Sequence, residues 1–174
     1  MSVLKASNGK CYGKGDGGND WNTTPYIWDK IIPYMPKDKM IWCPFYNDGY
    51  CKNYLEEKGI NVIHNDEDFW EVKPHYENVA VVDNPPYKTD KIKLKESIML
   101  RFIENNTPFM LLFPSTTIQT KYFKEMSDKY GKFQLIIPKE KYNFEKVMGE
   151  KTKCLFYTLW ICWNMNLAKD VIFL

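Results

Sequence analysis

The stretch VAVVDNPPYKT, residues 79–89, decides the fold. Its first four residues are apolar and mostly β-branched, the pattern of a strand buried on both faces. The run stops at an acid, an amide, two prolines and a tyrosine. Two consecutive prolines remove two backbone donors and fix two φ angles, so neither strand nor helix continues through Pro85 and Pro86. A buried strand ending in a rigid polar corner fits the carboxyl edge of an open parallel sheet, where ligands bind.

The same pattern spreads outward. TPYIWDKIIPY, residues 24–34, opens on a Thr-Pro helix start and is cut short by Pro33. KMIWCPF (39–45) reads as a strand, GYCKNYLEEKG (49–59) as a helix stopped by Gly59, and INVIHND (60–66) as a second strand. After the third strand (78–84) come a helix over 92–105, a strand over 108–114, a largely helical stretch over 116–131, and strands over 133–138 and 154–163. Alternation of this kind predicts an α/β fold, with a mostly parallel sheet covered by helices on both faces. Residues 1–20 are dense in glycine and lack a phosphate-loop pattern, so they are expected to form a flexible N-terminal segment ahead of one domain over 21–174.

A net charge of +2 argues against a strongly basic nucleic-acid binder, and Arg101 is the only arginine. Phosphate contacts would be few and made by lysine point charges. The five cysteines include no C-x-x-C pair, which predicts a reducing, intracellular compartment and no metal site. Cys154 and Cys162 read as core. No apolar run is long enough to span a membrane or to resemble a signal peptide.

Three strand ends carry the chemistry. The first ends in Pro44, Phe45, Tyr46, Asn47, Asp48 and Gly49. The second ends in His64, Asn65 and Asp66, with Asp68, Phe69 and Trp70 beyond. The third ends in Asp83, Asn84, Pro85, Pro86 and Tyr87. An acid after the second strand of a nucleotide-binding sheet accepts from ribose hydroxyls, which makes Asp66 the candidate. At the third end, the Asn84 side-chain oxygen and the Pro85 carbonyl are two rigid acceptors suited to a planar amino group, and Tyr87 offers a ring face for stacking.

NPPY after a strand resembles the motif of amino-group methyltransferases that use S-adenosylmethionine. The longer pattern DKMIWCPF…GY…LEEKGINVIHNDEDFWE…VVDNPPY resembles adenine-N6 DNA methyltransferases, most closely small single-domain forms associated with phages and other DNA viruses. The resemblance runs from about Trp21 to the carboxyl end. It implies a Rossmann-like methyltransferase fold with an antiparallel strand near the C-terminus. It also implies S-adenosylmethionine as cofactor and adenine in nucleic acid as substrate, with DNA favoured over RNA. RNA adenine, a protein glutamine, or a silent methyltransferase-like binding subunit are the alternatives.

Position by position, the resemblance assigns cofactor binding to Thr23, Thr24 and Pro25, and to Pro44, Phe45 and Gly49 of the loop CPFYNDG, where Cys43 replaces the family's leading acid. Asp66 matches the ribose-binding acid, with Asn65 or His64 as alternatives. Asp68 and Phe69 match the acid and aromatic beside the cofactor's adenine. Asn84, Pro85, Pro86 and Tyr87 match the catalytic corner, Asn84 also facing the cofactor. Lys88 and Asn143, the latter in KYNF (141–144), fall at target-binding positions, and Lys91, Lys93 and Lys95 are further phosphate-contact candidates. So small a chain implies target reading by loops, by the N-terminal segment, in a homodimer, or with a second recognition subunit.

Overall fold

The computed structural model describes residues 21–46, 49–72, 77–87, 93–146, 151–153 and 156–174. In chain order the elements are β1 (Trp21–Asn22), α1 (Pro25–Ile31), β2 (Met40–Trp42), α2 (Tyr50–Glu57), β3 (Val62–Ile63), β4 (Val79–Asp83), α3 (Leu94–Glu104), β5 (Phe109–Pro114), α4 (Lys121–Tyr130), β6 (Phe133–Ile137), β7 (Asn143–Lys146), β8 (Lys151–Lys153), β9 (Thr158–Trp163) and β10 (Val171–Phe173). Short 3-10 turns follow α1, at Ile32–Tyr34, and precede α4, at Ser115–Gln119.

Seven strands form the central sheet in the order β10-β6-β9-β5-β4-β2-β3. Strands β3, β2, β4 and β5 run parallel, and β9 lies antiparallel between β5 and β6, with Ile161 opposite both Leu111 and Leu135. The antiparallel strand expected near the C-terminus is therefore β9. This mostly parallel α/β architecture is compatible with a Rossmann-like fold.

Alternating side chains divide the core in two, because successive strand residues point to opposite faces. Val79, Val81, Phe109, Leu111, Leu159 and Ile161 pack with Ile98, Met99 and Phe102 of α3 and with Phe123 and Met126 of α4. Ala80, Val82, Met110, Leu112, Trp160 and Cys162 pack with Ile27, Trp28 and Ile31 of α1 and with Leu55 of α2. Helices thus cover both faces. Helix α1 begins as its sequence dictates, with Thr24 extended at the N-cap and Pro25 in the first turn. Helix α2 ends at a left-handed Gly59 (φ +79°); the Ile60 amide donates back to the Leu55 carbonyl at 3.1 Å and the Gly59 amide to the Glu56 carbonyl at 2.9 Å.

The structure corrects several expected boundaries. The strand expected over 39–45 is regular only over Met40–Trp42, and that over 60–66 only over Val62–Ile63. The expected C-terminal strand over 154–163 begins at Thr158. KYNF, expected as a target-base loop, lies partly in a strand. Asn143 and Phe144 belong to β7, in a separate three-stranded sheet ordered β1-β7-β8. There Asn143 pairs with Lys153 across an antiparallel ladder while Tyr142 and Phe144 are buried, so backbone pairing and two aromatic anchors fix this segment. Residues 1–20, Lys88, Lys91 and Cys154 lie outside the described residues. Among the described residues, no helix is long and apolar enough to cross a membrane.

Candidate functional site

The carboxyl ends of β2, β3 and β4 meet around one narrow cleft. It is lined by Asn22, Thr23, Trp28, Phe45, Gly49, Tyr50, Cys51, His64, Asp83 and Asn84. Of the residues the sequence points to, Thr23, Phe45, Gly49, His64 and Asn84 line it, and Tyr87 bonds to Asn84.

Asp83 is the residue that assembles this edge. It is 4 % exposed, and its two oxygens accept from two different loops. Oδ2 takes the Phe45 amide at 2.8 Å, 38 residues away in sequence, and Oδ1 takes the Asn84 amide at 2.7 Å. One carboxylate therefore pins the loop after β2 to the corner after β4. Burial, reinforced by the neighbouring Cys51, pushes this carboxyl up to about 7, against the pull of His64 and of the two amides.

The corner itself is tightly built. The Tyr87 hydroxyl donates to Asn84 Oδ1 at 2.6 Å, which orients the amide and leaves the oxygen one further lone pair. Pro85 is buried and Pro86 half-buried. The Tyr87 ring packs 6.3 Å from Phe113 and edge-on to Phe156 at 5.9 Å. Phe156, 41 % exposed, extends this aromatic surface outward. In the sequence Phe156 reads as part of an apolar strand; its exposure is the signal that sets it apart.

Next to the loop after β2, Phe45 lies 4.9 Å from the buried Phe69. Asp68 holds its own turn through Oδ1, which accepts from the Trp70 amide at 2.8 Å. Its Oδ2 is buried with no hydrogen-bond partner among the described residues. Arg101 braces this turn by donating to the Phe69 and Val72 carbonyls, with its guanidinium 4.5 Å from the Phe69 ring centre. A lysine cannot reproduce this fork. Arg101→Lys is expected to lose about 2 kcal/mol, the worth of one charged hydrogen bond, as read by urea unfolding.

Other sequence-chosen residues sit apart from the lining. Asp66 is exposed on the loop beyond β3, and the residue that β3 sends into the cleft is His64. The physical reason is the shortness of β3, which ends at Ile63 and leaves His64 at the sheet edge with Asp66 two residues further out. Pro44 is buried, Pro25 opens α1, and the Thr24 hydroxyl reaches the Asn143 carbonyl at 3.5 Å. Asn143 is thereby placed beside the start of α1. Lys93 is exposed and pairs with Glu96 at 3.7 Å, while Lys95 is partly buried, which lowers its pKa.

Fold and cleft together define an α/β protein with a cleft at the carboxyl edge of a mostly parallel sheet. No protein-family model matches the chain, and a search of curated proteins finds no match either.

Proposed function

We propose that the chain is an S-adenosylmethionine-dependent methyltransferase acting on the exocyclic amine of adenine in nucleic acid, with DNA favoured over RNA. The observation that carries this reading is the Asn84–Tyr87 corner opening onto the cleft. An amide oriented by a tyrosine hydroxyl stands at a parallel-sheet edge where a nucleoside would bind. The sheet order, with β9 antiparallel beside β5, supports the same reading.

The donor set suits the cofactor. The half-buried Phe45, backed by the buried Phe69, offers apolar surface for an adenine ring, and the unpartnered Asp68 Oδ2 is an acceptor suited to its amine. Asp83 and Thr23 add polar groups to the lining. When bound, S-adenosylmethionine supplies a methyl group made electrophilic by its sulfonium. The protein's own contribution is to position the target. The free lone pair of Asn84 Oδ1 and the Pro85 carbonyl accept the two hydrogens of the target amine, drawing its lone pair out of the ring. Positioning and electrostatics of this kind need no strong base. Tyr87 and the exposed Phe156 supply aromatic surface for the base, at about 1–3 kcal/mol per stacked base, which offsets the cost of unstacking it from a duplex.

Calorimetric titration with S-adenosylmethionine and with its demethylated product tests the reading. Saturable binding of both is expected, and folded protein that binds neither at millimolar concentration rejects it.

A further inference from the structure

The wall of the cleft holds two groups that the proposed transfer leaves unused, the Cys51 thiol and the His64 imidazole. His64 Nδ1 lies 2.6 Å from the Cys43 carbonyl oxygen. A carbonyl only accepts, so Nδ1 carries the proton. That leaves Nε2 as the basic nitrogen, and it faces Cys51 Sγ at 3.4 Å. A thiol beside an imidazole whose far nitrogen is held by an acceptor is an activated nucleophile.

The groups facing this pair are Cys43 at the end of β2, Asp83 at the end of β4 and Tyr46, whose ring stacks on His64 at 4.6 Å. Burial alone would pull His64 down. The Cys51 thiolate, the Asp83 charge and the Cys43 carbonyl outweigh it and hold the imidazole at about 9. Cys43 is fully buried, donates to the Val82 carbonyl at 3.1 Å, and is kept protonated by the neighbouring Cys51 and by burial. Cys162 is buried in the core. Among the described cysteines, Cys51 alone combines access to the cleft with a base. No group of three or more His, Cys, Asp or Glu side chains among the described residues is arranged to hold a metal ion.

We propose that Cys51 is a modification site, an activated thiol that takes small uncharged electrophiles of the peroxide class entering the cleft. Cys51 passes its thiol proton to His64 Nε2, and the thiolate sulfur attacks one peroxide oxygen, forming an S–O bond as the O–O bond breaks. The sulfur is oxidised by two electrons and the peroxide is reduced. The departing hydroxide takes the proton from His64 Nε2 and leaves as water, and Cys51 becomes a sulfenic acid. The added oxygen sits in the wall shared with Gly49, His64 and Asp83, so oxidation weakens occupancy of the cleft. That consequence rests on the cofactor reading and is measured separately, by titration of the oxidised protein; the chemistry at Cys51 stands without it.

An ordinary thiol is only a few per cent ionised at pH 7. Proton transfer to His64 that ionises most of the thiol raises the reactive fraction by roughly 30-fold at most, and the weaker nucleophilicity of a less basic thiolate returns part of this, leaving a gain on the order of tenfold. The test treats the full chain with hydrogen peroxide, traps sulfenic acid with dimedone and locates the label by peptide mass spectrometry, with glutathione as reference. Labelling at Cys51 is expected to run about tenfold faster than glutathione oxidation at pH 7 and to rise less steeply with pH than glutathione does between about pH 6 and 8. His64→Asn should restore the steep rise with pH of a free thiol, and Cys51→Ser should remove the label. If His64→Asn does not fold, the wild-type pH profile decides alone. A wild-type rate equal to that of glutathione and rising steeply through that window, or label at Cys43 or Cys162 instead, overturns the proposal.

Discussion

Asn84→Ala is expected to lower methyl transfer by about 10²–10³-fold, the loss found when one preorganised group facing a transition state is deleted. The side-chain oxygen removed is the one that Tyr87 orients at 2.6 Å and that is left with one lone pair for the target amine. Cofactor affinity should hold, because the aromatic pair and Asp68 lie on other loops. The loss should therefore fall on kcat and not on cofactor binding. Tyr87→Phe keeps the ring and deletes only the orienting hydroxyl. It should cost about 1 kcal/mol, or roughly five- to tenfold in rate. Single-turnover rates with each variant decide the matter, and an Asn84→Ala protein with normal turnover removes the corner from the mechanism.

The second large effect is expected at Asp83. Asp83→Ala strands the Phe45 and Asn84 amides, both of which lose a buried acceptor. At about 1–3 kcal/mol per stranded group, the loss should reach about 3 kcal/mol or more, seen as a lower denaturant midpoint. Binding in the cleft should fail with it, since the carboxylate ties the two loops that line it. The same group gives stability a pH dependence. Its folded pKa of about 7 lies above the ordinary carboxylate value, so the folded state holds the proton more tightly. That stabilisation is full below about pH 4 and is lost as pH rises through 7. His64, raised to about 9, acts in the same direction, its stabilisation being present below about 6.5 and lost as pH rises through 9. The midpoint should therefore fall from pH 6 to pH 9, and Asp83→Ala should lack the part of that fall that lies below about pH 7.5. A wild-type midpoint that rises over this window contradicts the assignment.

The elements legible in the sequence are those whose local pattern is itself the cause of the structure. VAVV and FMLLF are buried on both faces and so read as apolar runs. Thr24-Pro25 and Gly59 act at helix ends through their own backbone preferences. The small sheet was not legible because its strands are two to four residues long, and β1 meets β7 through Trp21↔Lys146, a pairing set by tertiary contact. β10 escaped for the same reason: its three residues, Val171–Phe173, form a strand only against β6.

At the site, the corner at 84–87 was legible because two prolines constrain the chain whatever surrounds them. Asp83 stands beside them in the same motif, yet its function lies in an amide 38 residues earlier, which no local pattern records. His64 was an alternative to Asp66 in the sequence, and the early end of β3 is what turns it inward. In the sequence Cys51 reads as one more helix residue; its sulfur lies 3.4 Å from an imidazole because α2 packs beside the end of β3.

The most direct test of the central claim incubates the protein with S-adenosylmethionine labelled in its methyl group, together with a mixture of DNA, RNA and protein, and identifies the labelled product after digestion. The account predicts label in N6-methyladenine from the DNA, absent with Asn84→Ala. Label in RNA adenine or protein glutamine with none in DNA contradicts the substrate assignment, and no label in any fraction from protein that binds the cofactor contradicts the enzyme.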